Sequence, residues 1–97
     1  MPIPEEILRR LGQAHAEALR VGDSPQRADQ LAEKVAELLR EVARSDAPEE
    51  TRARVRGHLE SAERVLRRDD DGREAARHLQ QALRSAGERP TPPEWPF

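Results

Sequence analysis

Three histidines are the first candidates for chemistry in this chain, His15, His58 and His78. Each falls on or beside the apolar face of a predicted helix, and the interior of a helical bundle can host a metal ion. The chain has no cysteine, however, and neither of the spacings Glu-x-x-His and His-x-x-x-His that helical metal sites use. We therefore predict no metal site and no cofactor, and we keep a small metal-binding bundle as an alternative.

Nucleophiles and phosphate-binding loops give little support for catalysis. The serines, at positions 24, 45, 61 and 85, lie in no nucleophile elbow, and the glycines form neither a phosphate loop nor a dinucleotide fingerprint. The run Asp69-Asp70-Asp71-Gly72 shares only its composition with a calcium loop, since the twelve-residue ligand spacing is missing. A turn followed by a helix cap accounts for it. We predict that the protein is not an enzyme.

An arginine-rich face lies opposite the apolar face of the predicted third helix. Its members are Arg52, Arg56, Arg64, Arg67 and Arg68. Such a stripe can bind phosphates, and a nucleic-acid-associated regulatory domain is therefore an alternative. Glu60 and Glu63 share the same arc and would repel a phosphate backbone, and the whole chain has a net charge of -2. We predict a solvated, ion-paired face, or a face that meets the acidic side of a second copy, which carries Asp29, Glu33, Glu37 and Glu41.

The aromatic residues are confined to the C-terminal end of the chain. Trp95 and Phe97 are the only two, and prolines at positions 90, 92, 93 and 96 favour extended backbone around them. An extended segment with large aromatic side chains loses little entropy on binding, and tryptophan is enriched at interface hot spots. We predict a Pro-rich aromatic tail over 89–97, in which Pro93, Trp95 and Phe97 contact a partner. Packing onto its own bundle or a sister subunit, and disorder, are the alternatives.

Length and composition limit the class of protein. The chain has 97 residues, enough for one domain, and no cysteine for a disulfide framework. No apolar run is long enough to span a membrane, and the first residues lack the apolar segment of a signal peptide. Lys34 is the only lysine among many arginines, a bias typical of a GC-rich bacterial genome. We predict a bacterial protein of the cytoplasm.

Start and stop signals divide residues 1–88 into four helices. They are predicted at about 4–21, 24–44, 47–68 and 71–86. Cap residues at their starts are Ser24 followed by Pro25, Asp46 paired with Glu49, and Asp71 paired with Glu74. Because the connections are short, consecutive helices should be antiparallel neighbours. We predict an all-α fold, either a small antiparallel four-helix bundle or two helical hairpins that pair as a dimer.

The apolar faces of these helices suggest a lean core. Helix 1 carries Ile7, Leu8, Leu11, Ala14, His15, Ala18 and Leu19 at helical spacing. Helix 4 offers only Leu79 and Leu83 as large apolar groups, and bundles this lean need help from another chain or from the tail. Gly12 and Gly57, inside helices, suggest close helix crossing.

The strongest apolar seam lies on the second helix. It consists of Leu31, Val35, Leu38 and Val42, at the alternating spacing of a coiled coil. We predict a non-enzymatic helical interaction module, such as an adaptor, assembly or regulatory protein. It would recognise another protein or a second copy of itself through this seam and the tail, and would form a homo-oligomer without membrane or nucleic acid.

Overall fold

The computed structural model describes residues 3–22 and 24–87 and contains no strand within them. Its helices are α1 (Glu5–Leu19), α2 (Pro25–Arg44), α3 (Glu49–Asp69) and α4 (Gly72–Gly87). Each helix contacts the next along the chain, and α4 packs against α1, so the four close into a ring. The all-α prediction is confirmed. Within the described ranges, no helix combines the length and the apolar character needed to cross a bilayer.

Local cap chemistry explains where α2 and α4 begin. The Ser24 hydroxyl accepts a hydrogen bond from the Arg27 amide at 3.3 Å, and a proline follows it at the first helical position. In the turn before α4, the Asp71 carboxylate accepts from the Glu74 amide at 3.1 Å. These side chains satisfy amide donors that have no partner inside the first turn of a helix.

The predicted cap at Asp46 is wrong. Helix α3 begins at Glu49, after Pro48, and no side chain caps its first turn. Asp46 therefore lies two residues before the cap position, too early in the chain to reach the free amides of the first turn. Pro48, with φ -54 and ψ 142, has extended backbone, which delays the helix.

Removing the hydroxyl of Ser24 tests this difference between the two predicted caps. The variant S24A should lose about 1 kcal/mol of unfolding free energy, because one amide of α2 loses its acceptor. The matched variant D46A should change the unfolding free energy by less than about 0.5 kcal/mol, since Asp46 caps nothing. Urea denaturation followed by circular dichroism measures both values. Equal losses in the two variants would contradict the observed caps.

The core between the helices is purely aliphatic among the described residues. Every buried side chain is Ile, Leu, Val or Ala, and no polar or charged residue is buried. Leu8, Leu39 and Leu83 are partly buried and pack against its edge. Leu19, which its spacing placed on the apolar face of α1, is instead 60% exposed. The apolar face of α1 therefore stops at Ala18, one residue before the helix ends.

Close backbone approach occurs at Gly72, where α4 begins beside the end of α1. A Cβ atom at position 72 would lie 2.3 Å from the Ala18 carbonyl oxygen and 2.7 Å from the Val21 Cβ. At Gly12 and Gly57, by contrast, an added Cβ would meet nothing within 4 Å. The prediction of close crossing at those two glycines is therefore wrong, and Gly72 has that role instead.

Candidate functional site

An open groove runs between α1 and α2, the neighbouring helices that contact each other least. Three clefts form it, and they overlap: the central cleft shares Glu17 and Lys34 with the cleft at one end, and Arg10 and Glu37 with the cleft at the other. We call this continuous surface the α1–α2 groove. The buried or nearly buried apolar residues along its floor are Ala14, Val21, Leu31 and Leu38.

Ion pairs bridge the middle of the α1–α2 groove. Arg10 of α1 pairs with both Glu37, at 3.5 Å, and Glu41 of α2. Lys34 of α2 lies 2.9 Å from one carboxylate oxygen of Glu17 and 3.1 Å from the other. These residues flank the apolar stripes of two adjacent helices, as the e and g positions of a coiled coil do. That flanking pattern is the sequence signal that would have predicted the bridges.

A double-mutant cycle tests the bridge between Arg10 and Glu41. Both side chains are partly exposed, at 33% and 39%, so solvent screens their attraction. We expect a coupling free energy of about 0.2–1 kcal/mol for R10Q with E41Q, which falls as salt is added. The matched cycle of R10Q with E33Q should give no coupling, because Glu33 forms no ion pair among the described residues. Thermal denaturation of the variants at low and high salt supplies the measurement, and equal coupling in both cycles would contradict the observed pairing.

Arginines at the two ends of the groove have no carboxylate partner among the described residues. Arg20 and Arg27 lie at one end, and Arg40 and Arg44 at the other. The guanidinium group of Arg27 donates to the backbone carbonyl of Arg20, at 3.2 Å, and so caps the end of α1. Basic side chains along the whole groove outnumber acidic ones, although the chain itself has a net charge of -2. The groove is therefore a local site of excess positive charge.

The predicted seam of α2 lies inside the protein. Leu31 and Leu38 are 2% exposed, and Val35 and Val42 are fully buried against the other helices of the same chain. Leu31 and Leu38 also form part of the groove floor, so a partner in the groove would lie directly above them. The other residues predicted to contact a partner, Pro93, Trp95 and Phe97, lie outside the described residues.

The arginine-rich face of α3 is partly committed to contacts within the chain. Arg52 donates to the Ala43 carbonyl at 3.2 Å, near the end of α2, and its Nε is buried without an acceptor. Arg67 pairs with Glu63 at 2.9 Å across one helical turn. The remaining three, Arg56, Arg64 and Arg68, are exposed. The five predicted residues therefore divide into two with intramolecular contacts and three free to reach solvent.

The histidines lie on three different helices and are all half-buried. His78 approaches Glu74 of the same helix, with 3.7 Å between Nε2 and Oε1. Within residues 3–22 and 24–87, no group of three or more His, Cys, Asp or Glu side chains could hold a metal ion.

Asp70 and Asp71 form the turn between α3 and α4, beside the end of α1. Asp70 ends α3 with left-handed backbone, at φ 51, and Asp71 caps α4. The structural roles of these residues thus agree with the turn and cap expected from the sequence.

The acidic face predicted on α2 is partly occupied by contacts within the chain, because Glu37 and Glu41 pair with Arg10.

Comparison with known proteins adds no further assignment. No protein-family model matches the chain, and neither curated proteins nor solved structures give a match. The fold and the groove define a class: a small all-α protein whose first two helices enclose a charged interhelical groove. The charges and shape of that groove are the basis for the functional argument.

Proposed function

We propose that this chain is a non-enzymatic protein–protein interaction module of the bacterial cytoplasm. It would serve as an adaptor, assembly or regulatory protein that recognises another protein or a second copy of itself. The single observation that carries the proposal is the α1–α2 groove, in which the side chains of Arg20, Arg40 and Arg44 have no carboxylate partner among the described residues. Arginine is enriched at protein interfaces and among their hot-spot residues.

The composition of the C-terminal segment gives a second argument for binding. Trp95 and Phe97 are the only aromatic residues in the chain, and both lie in its Pro-rich end. A Pro-rich segment with two aromatics is well suited to docking on a partner, because its extended backbone has little entropy to lose. We therefore propose Pro93, Trp95 and Phe97 as a second contact region.

The finer architecture that we propose is an antiparallel four-helix bundle. Arg10 pairs with Glu37 and Glu41, whereas Glu17, later in α1, pairs with Lys34, earlier in α2. These pairings favour opposite directions for α1 and α2. The contact of Gly72, at the start of α4, with the end of α1 favours opposite directions for that pair as well.

Site-specific photo-crosslinking tests the proposed function in the cell. A benzophenone amino acid replaces Gln13, an exposed residue that lines the groove, or Trp95 of the tail. The matched control carries it at Arg84, which is exposed on α4. We expect a discrete cross-linked species, to another protein or to a second copy, from Gln13 or Trp95 and not from Arg84.

Self-association is measured in parallel by light scattering from micromolar to millimolar concentration. A mass that rises with concentration would identify a second copy as the partner and would give a homo-oligomer as the functional unit. A monomer at every concentration, together with no cross-link from Gln13 or Trp95 above the Arg84 control, would overturn the proposed function.

A further inference from the structure

We propose that the α1–α2 groove binds an acidic helical segment of another protein, whose carboxylates contact the arginines at the two ends of the groove. This inference rests on the proposed function and names the chemistry of the partner. It follows from the arrangement of charge along the groove: bridged ion pairs occupy the middle, and unpaired arginines occupy the ends. Arginine clusters recognise carboxylate groups through their planar, multiply donating guanidinium groups.

The distance between the two arginine ends sets the length of the partner. Arg27 and Arg40 lie thirteen residues apart on α2, which corresponds to about 20 Å at the rise of an α-helix. Arg44 extends the site by about one further turn. A partner helix of four to five turns, laid along the groove, would bring its first and last turns to the two arginine ends. A helix in an interhelical groove is a common mode of peptide recognition.

The middle of the groove suits uncharged side chains of the partner. In the central cleft the positive charges of Arg10 and Lys34 balance the negative charges of Glu17 and Glu37. Below these pairs lie Ala14 and Leu38, which form an apolar floor. A partner with small or apolar residues in its central turns would cover the ion pairs and exclude water from them, whereas central charges would meet a charge of the same sign.

The same charge arrangement disfavours nucleic acid as the occupant. A phosphate backbone carries negative charge at every step, so it would place phosphates beside Glu17 and Glu37 in the middle of the groove. A protein segment can carry its carboxylates at its ends alone. The exposed arginines of α3 lie on another helix and take no part in this site.

The test uses the full chain and a synthetic helical peptide of about 18 residues, long enough for the groove. The peptide has glutamates in its first and last turns, with alanine and leucine between. Its matched control has glutamines in place of the glutamates. We expect the acidic peptide to bind, with amide NMR shifts confined to α1 and α2, and the glutamine peptide to bind roughly tenfold more weakly. Binding should weaken as salt is raised from 50 to 300 mM.

Variants of the protein locate the contact. R40Q with R44Q should weaken the acidic peptide roughly tenfold, and R20Q should weaken it by a smaller factor. The matched control, R64Q with R68Q, removes the same charge from exposed positions on α3 and should leave binding within about twofold. All of these arginines are exposed, and none has a carboxylate partner among the described residues, so the fold should survive each change.

Three results would overturn the inference. The first is equal binding of the acidic and glutamine peptides, and the second is equal weakening by the α2 pair and the α3 pair. The third is tighter binding of a DNA duplex than of the peptide at the same salt, with shifts in α1 and α2, which would make the groove a phosphate site. Cross-links from Trp95 would still support the proposed function if the peptide failed, because the tail is a separate contact region. Failure of the peptide, together with a monomer at every concentration and no cross-link from Gln13 or Trp95, would overturn the proposed function as well.

Discussion

Replacing Leu59 with alanine is expected to lower the free energy of unfolding by about 2–5 kcal/mol, the largest effect of any substitution proposed for this protein. Leu59 lies in the middle of α3, which packs most closely with both of its neighbours, and its side chain is fully buried. The variant removes buried apolar surface and leaves a cavity that the surrounding helices fill only in part. For a domain of this size, whose total stability is about 5–15 kcal/mol, the loss is a large fraction.

Leu19 provides the matched control for Leu59. The variant L19A removes the same atoms from a side chain that is 60% exposed, so it should change the unfolding free energy by less than about 0.5 kcal/mol. Urea denaturation of both variants, followed by circular dichroism at 222 nm, gives the comparison. Losses of similar size at the two positions would mean that Leu19 is buried in solution, which would contradict the end of the apolar face at Ala18.

Replacing Gly72 with alanine is expected to destabilise the protein by about 1–3 kcal/mol. The added methyl group would lie 2.3 Å from the Ala18 carbonyl oxygen, and this neighbour is backbone, which cannot rotate away as a flexible side chain could. The start of α4 must therefore move away from the end of α1, which loosens the packing between them. Since the φ angle of Gly72 is not positive, the effect comes from close approach and not from backbone strain.

Gly57 provides the opposite result at a matched position. An added Cβ there meets nothing within 4 Å, and Gly57 lies in the interior of α3. The variant G57A should therefore raise the unfolding free energy by about 0.5–1 kcal/mol, because alanine favours the helix more than glycine does. Thermal unfolding of G72A and G57A measures both changes in stability. A stabilised or neutral G72A would show that α1 and α4 do not approach closely in solution.

The predicted helices depended on signals that act within a few residues. The proline and serine that begin α2 were predicted correctly because a cap is formed by a side chain and the amides directly after it. The cap at Asp46 was wrong because Pro48 keeps extended backbone, so α3 begins at Glu49 and not at the predicted residue 47. A difference of two residues is within the usual uncertainty of helix ends, but it is enough to separate a cap from its amides.

The site was harder to predict, because a periodic row of apolar residues does not show which helix or partner will pack against it. The spacing of Leu31, Val35, Leu38 and Val42 is the same whether α2 packs on its own chain or on a partner. The structure places these residues in the chain's own core and leaves the groove above Leu31 and Leu38 open. Arg20, Arg40 and Arg44 were missed, because whether an arginine has a carboxylate partner depends on which side chains surround it in the folded protein.

Sequence alone determined the class of this protein, an all-α chain whose aromatic residues lie outside its predicted helices, because helix periodicity and turn residues are local properties. Only the tertiary structure decided three further features. It exposed Leu19 at the end of α1, it placed the close approach at Gly72 and not at Gly12 or Gly57, and it brought Arg10 to the carboxylates of α2. Each of these features depends on how helices from different parts of the chain pack against each other. The spacing of residues within one helix contains no information about that packing.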